Sequence, residues 1–181
     1  SGRLSVASSS FRDNAASGLA ADVSAGTMSV VVRGSSFSGN HVGVSLSASG
    51  EATVTFELID NEFNLNRVAG INVFTSASHS GSMTGTIMGN VVGTAGLAGS
   101  GSPVGRGIRV ANEGLGNTTV LIEGNTVQEV GDGVGSGLEG ILVVGGVRAG
   151  GLAATIRSNL VRSVLDDVGI HVRTTADIVC L

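Results

Sequence analysis

The sequence predicts an all-β solenoid of about six stacked rungs, and three observations carry that prediction. The first is a repeat with six matched columns. An apolar strand ends at Val6, Val32, Leu58, Ile87, Ile122 and Ile156. Two positions on stands a small or turn-forming residue (Ser8, Gly34, Asp60, Gly89, Gly124, Ser158), followed by a polar one (Ser9, Ser35, Asn61, Asn90, Asn125, Asn159). Two further on comes an apolar column, Phe11, Phe37, Phe63, Val92, Val127 and Val161. After a loop the unit closes on Gly-apolar-x-apolar: Leu19 and Ala21, Val44 and Leu46, Ile71 and Val73, Ile108 and Val110, Ile141 and Val143, Ile170 and Val172. Successive copies lie 26, 26, 29, 35 and 34 residues apart, in the range of solenoids, propellers and arrays. The second observation is the period. Val54, Phe56 and Leu58 alternate with polar residues, as do Ile170 and Val172, which is strand periodicity with one buried face. The third is composition: of 181 residues 30 are Gly and 1 is Pro, and only 3% are aromatic. Tight corners want small residues, and strand interiors want β-branched ones.

The elements follow in order. Residues 1–3 read as a leader. The rungs are expected at 4–27, 28–52, 53–82, 83–117, 118–151 and 152–176, with a partial seventh at 177–181, all in one domain of residues 4–181. Rungs one and two carry Ser9 and Ser35 in the polar column, so a ladder of stacked amides is expected to be best from Asn61 onward, through Asn90, Asn125 and Asn159. Asn and Gly also tolerate the left-handed backbone of a sharp turn. Phe11, Phe37 and Phe63 fall in one column and are expected to stack inside the coil. Rungs four and five each carry a Gly-rich insertion before the Gly-Ile strand, at 93–106 and 130–139. Neither is followed by a helical pattern, so neither reads as a phosphate cradle. They are expected to be flexible loops folded over one face, on a common side. The seventh strand breaks off, and no amphipathic helix covers Leu4. Leu4, Val6, Ile178 and Leu181 are therefore expected at exposed or partner-covered edges. The chain then reads as a segment of a longer protein or as a self-associating unit.

The short strand, the Asn turn, the second strand and the Gly-Ile-x-Val strand together resemble the right-handed parallel β-helix proteins of the pectate-lyase-like superfamily. The likeness runs from about Leu4 to the end. It implies a right-handed, single-stranded parallel β-helix. It also implies that any site lies on the outward face of the Gly-Ile-x-Val strand, with flanking loops as groove walls. Outward residues there are Ala20, Ser45, Asn72, Arg109, Leu142 and His171, then Asp22, Ser47, Phe74, Ala111, Val144 and Arg173. Titratable groups gather only on rungs four to six. The candidate ligand-binding residues are Arg106, Arg109, Glu139, His171 and Arg173, with Asp132, Asp166 and Asp167 in nearby loops. Arg106 and Glu139 occupy equivalent positions and are expected to pair, which would leave Arg109, His171 and Arg173 as a cationic patch on either side of Leu142.

The chemistry expected of such a site is limited. Uronate lyases of the superfamily use an Arg or Lys base and calcium held by carboxylates. The hydrolases use paired Asp on successive rungs, and no Asp column exists here. The Tyr-Gly-x-Asp-Pro-His pattern of related epimerases is absent, since the chain has no Tyr. Sugar-stacking aromatics reduce to Phe74. His41 and His79 stand in separate turns, so no metal site is expected, and no cofactor. Asn117-Thr118-Thr119 matches a glycosylation sequon. The net charge of −4, with Arg but no Lys, argues against nucleic acid. No apolar run approaches the ~20 residues of a membrane span, and Cys180 has no cysteine partner in the chain. The expected function is a non-catalytic module of an exported or cell-surface protein, a rigid scaffold or a surface that binds acidic polysaccharide. The alternatives are a polysaccharide lyase or hydrolase with its site over rungs four to six, and a homo-oligomer built through uncapped ends.

Overall fold

The computed structural model describes residues 1–133, 138–147, 149–165 and 167–174. Each rung contributes three strands. Rung one is β1 (Gly2–Ala7), β2 (Ser10–Arg12) and β3 (Ser17–Val23); rung two is β4 (Thr27–Arg33), β5 (Ser36–Ser38) and β6 (Val42–Ala48). Rung three is β7 (Thr53–Ile59), β8 (Glu62–Asn64) and β9 (Ala69–Thr75); rung four is β10 (Ser82–Met88), β11 (Val91–Val92) and β12 (Arg106–Asn112). Rung five is β13 (Asn117–Glu123), β14 (Thr126–Val130) and β15 (Ile141–Gly145); rung six is β16 (Leu152–Arg157), β17 (Leu160–Val164) and β18 (Ile170–Thr174). Corresponding strands stack into three six-stranded sheets: β1-β4-β7-β10-β13-β16, β2-β5-β8-β11-β14-β17 and β3-β6-β9-β12-β15-β18. Every strand pairing is parallel, so the fold is a parallel β-helix of six rungs. The first rung begins two residues earlier than expected, with Gly2 and Arg3, expected in a leader, paired to Met28 and Ser29, and the second, fourth and fifth rungs begin one residue earlier, at Thr27, Ser82 and Asn117.

The repeat columns are the pairing register itself. Val6, Val32, Leu58, Ile87, Ile122 and Ile156 are successive partners in the first sheet. Phe11 to Val161 are so in the second, and Leu19 to Ile170 in the third. Their side chains fill one continuous core. Phe11, Phe37 and Phe63 stack with ring centroids 4.9 and 5.0 Å apart and nearly parallel planes, because a parallel in-register column places like on like about every 4.8 Å. Gly85 is matched to the same geometry: a Cβ there would run into the ring of Phe56, its partner one rung back.

The first corner explains the small-then-Asn pair. Ser8, Gly34, Asp60, Gly89, Gly124 and Ser158 all adopt positive φ, between 47° and 66°. The left-handed residue is therefore the one before the ladder residue, while the Asn itself keeps negative φ and turns its amide along the stack. Asn90 shows the pattern. Its Oδ1 accepts from the backbone N–H and Nδ2 of Asn61, both at 3.0 Å. Its Nδ2 donates to Asn125 Oδ1 and to the carbonyl of Leu58. The ladder runs on through Asn125 to Asn159. Toward the start it fades as expected: Ser35 Oγ accepts from Ser9 N at 3.2 Å, and no amide is there to continue the second row of bonds. A second ladder, Asn14-Asn40-Asn66, lines the corner between the second and third sheets with the same bonding. It stops where the insertion of rung four begins.

That insertion is not loosely draped over the coil. Thr94 Oγ1 donates to Asn64 Oδ1, Ser102 Oγ to the carbonyl of Arg67, and Gly96 N to Glu129 Oε1. Ser100 and Ser102 are fully buried. Backbone groups of a buried loop must find partners, and here rungs three and five supply them. For the insertion of rung five, 134–137 lie outside the described residues, and so does the expected common wall. The proposed edge residues Ile178 and Leu181, the partial seventh rung and Asp166 lie outside them too. Leu4 and Val6 are half-buried, while Ile170 and Val172, inward-facing on β18, are 42% and 53% exposed because no described strand lies over them.

Candidate functional site

Strand alternation puts Ser45, Asn72, Arg109, Leu142 and His171 in one outward column of the third sheet and Ser47, Phe74, Ala111, Val144 and Arg173 in another, while Val42, Ala69 and Arg106 are partners at the strand starts. Glu139 precedes β15 at the position equivalent to Arg106. Its side chain is almost fully buried, and Arg106 Nε donates to its Oε2 at 2.7 Å. The expected pairing of Arg106 with Glu139 is therefore present. On the other side His171 Nδ1 lies 3.2 Å from Glu139 Oε1, and donates to it when that nitrogen carries the proton. One carboxylate thus ties rungs four, five and six together.

Two features of this face differ from the expectation. His171 does not join Arg109 and Arg173 as part of an open cationic patch; it leans back one rung onto Glu139. Leu142 sits at the centre of the outward row but is only 1% exposed. It is a large apolar side chain between two long polar ones, and burying it beneath its neighbours removes apolar area from water. The row is closed at its middle.

Arg109 leans the other way, toward rung three. Its Nη1 donates to Asn72 Oδ1 at 2.9 Å, and its guanidinium lies 5.5 Å from the centre of the Phe74 ring, a cation–π contact. Burial of the guanidinium, and next the repulsion from Arg106, hold its pKa below the usual arginine range; Glu113 and Glu139 act in the opposite sense. Arg173 is exposed. Beside Arg109, over rungs two to four, is a depression of about 290 Å³ lined by Val42, Val68, Ala69, Asn72, Arg106 and Arg109. The concavity is thus on the opposite flank of Arg109 from the rungs where titratable residues cluster in sequence.

The remaining candidates are dispersed. Asp132 and Asp167 are exposed. His41 is exposed in a turn, whereas His79 is fully buried with no hydrogen-bond partner at either ring nitrogen. Among the described residues no three His, Cys, Asp or Glu side chains converge as a metal site would require, and no helix is long and apolar enough to cross a membrane. Gln128 was not visible as a structural tie from sequence. Its Oε1 accepts two bonds from Arg162, at 2.9 and 2.7 Å, and its Nε2 donates to the carbonyl of Gly93. Asn72 and Phe74 were visible as outward residues, but their convergence on Arg109 depends on side-chain direction. No protein-family model, no curated protein and no solved structure matches the chain.

Proposed function

We propose that this chain is a non-catalytic parallel β-helix module that serves as a rigid scaffold in an exported or cell-surface protein. The observation that carries this reading is the engagement of Glu139. It is 2% exposed and held by Arg106 from rung four and His171 from rung six. Among the described residues it is the one buried acid, and it fastens three rungs together instead of meeting solvent. A general acid or base has to reach its substrate, and this carboxylate is enclosed. The likeness to the pectate-lyase-like superfamily supports the architecture and the surface setting, not an activity.

The test has two arms. Purified protein is incubated with pectate, alginate and neutral glycans across a broad pH range, with and without calcium, and products are followed by reducing-end and unsaturated-uronate assays. No turnover is expected. Cleavage that disappears in His171→Ala would overturn the scaffold reading in favour of an enzyme. In the second arm Glu139→Gln is expected to lower stability by about 1–3 kcal/mol, since it leaves a partly buried guanidinium without its charge. A second reading, weak binding of acidic glycans, is favoured by Arg109 and Arg173, which form no salt bridge among the described residues. Arg can grip carboxylates with two parallel bonds. Retention of an acidic glycan at low salt, lost on combining Arg109→Ala with Arg173→Ala, would establish it.

A further inference from the structure

The depression over rungs two to four has a chemistry of its own. Its lining is aliphatic at Val42, Val68 and Ala69 and cationic at Arg106 and Arg109. The two cations are not equivalent. Arg106 is held by the buried carboxylate of Glu139. Arg109 is half-buried, and its direct contacts among the described residues are the amide oxygen of Asn72 and the ring of Phe74; Glu113 and Glu139 act on it only through space. A guanidinium withdrawn from water and facing a second guanidinium is poorly compensated by an amide and a ring, because burial penalises charge unless an opposite charge meets it. The direction of its pKa shift agrees with that picture.

We propose that this depression is a binding site for a small monocarboxylate with an apolar body, its carboxylate on Arg109 and its body against Val42, Val68 and Ala69. The carboxylate supplies a directly paired charge, which Glu113 and Glu139 do not give Arg109, in the bidentate geometry that guanidinium favours. The aliphatic side gains by covering the body from water. Size limits the occupant: about 290 Å³ stands at the lower end of the ~300–1,000 Å³ typical of small-molecule sites. A sugar acid fits this chemistry less well. Its ring hydroxyls would lie against Val42, Val68 and Ala69, and Asn72 is the one uncharged polar side chain in the lining. Hydroxyls set against apolar side chains weaken binding. The inference is independent of the scaffold reading and competes with the glycan reading for the same arginine.

Methyl and arginine Nε–H NMR titrations of the intact chain decide it, with hexanoate, 1-hexanol and glucuronate as probes. Hexanoate is expected to give saturable shifts at the Val42 and Val68 methyls and at Arg109 Nε–H. Hexanol, lacking the charge, and glucuronate, lacking the apolar body, are expected to bind at least ten-fold more weakly. Arg109→Gln should weaken hexanoate at least ten-fold, while Arg33→Gln on the first sheet should leave it unchanged. Val68→Ser keeps the cation and should weaken hexanoate several-fold without altering the response to acetate. Arg109→Gln and Val68→Ser probe the cationic and the apolar part of the lining, and circular dichroism verifies the fold of each. No saturable hexanoate shift, or hexanoate binding indifferent to Arg109→Gln, overturns the proposal. Glucuronate binding as tightly as hexanoate overturns it as well, but leaves the acidic-glycan reading standing.

Discussion

Asn125→Ala removes the centre of the first-corner ladder, and its cost can be worked from the bonds. The Asn125 Oδ1 accepts from Asn90 N and Asn90 Nδ2, each at 3.0 Å. Its Nδ2 donates to Asn159 Oδ1 and to the carbonyl of Ile87, each at 2.9 Å. After truncation Asn90 Nδ2 still reaches the carbonyl of Leu58, and Asn159 Oδ1 still accepts from Asn125 N. The Asn90 backbone N–H has no such alternative, and Asn90 is fully buried. One buried donor left bare costs about 1–3 kcal/mol, and the remaining bonds add about 1 kcal/mol net, giving about 2–4 kcal/mol in all. Asn159→Ala orphans the Asn125 N–H in the same way, but truncating Asn159, itself only partly buried, opens a path by which water reaches that donor, so a smaller cost of about 1 kcal/mol is expected. Asn125→Ser should fall between, because a hydroxyl can accept one backbone bond as Ser35 does from Ser9. Urea unfolding with a common slope measures the three, and hydrogen exchange at the Asn90 amide reports the orphaned donor directly. If Asn125→Ala costs no more than Asn159→Ala, or leaves Asn90 exchange unchanged, the ladder is not what stabilises this corner.

Other outcomes follow from packing. Gly85→Val is expected to destabilise by about 1–3 kcal/mol through overpacking against Phe56, measured as a shift in the unfolding midpoint; a neutral result would mean the rung can move aside. Phe37→Ala, in the middle of the ring stack and fully buried, should cost about 3–5 kcal/mol. Phe11→Ala, half-buried at the end of the stack, should cost clearly less, and equal losses would contradict the end-on arrangement. Leu65 has φ +54° and is 51% exposed, so Leu65→Gly should be stabilising by up to ~1 kcal/mol, as left-handed strain exceeds the entropy that glycine adds to the unfolded chain. A lower melting temperature in that variant would show that the Leu65 side chain packs usefully.

Much of the fold was legible because a parallel solenoid translates sequence period into spatial register. Once Val32, Leu58 and Ile87 occupy equivalent places in a repeat, stacking them is the arrangement that buries each against the next, so four of the six columns read along the chain became columns of strand partners and the other two became the first corner. The first-corner ladder was legible for the same reason. The second ladder carries the same signal, with Asn14, Asn40 and Asn66 each 26 residues apart, yet it spans only three rungs and is interrupted by an insertion, so it does not stand out as a chain-long column. The pairing of Arg106 with Glu139 followed from equivalent positions one rung apart. Tertiary structure alone decided the direction of the long side chains. His171 and Arg109 lie on the same outward column as Leu142, but long flexible side chains reach for the nearest compensating group. His171 finds Glu139, Arg109 finds Asn72 and Phe74, and Leu142 is buried. Backbone register determines which residues share a face; the balance of desolvation, charge pairing and apolar burial on that face determines which remain available to a ligand, and no period in the sequence encodes that balance.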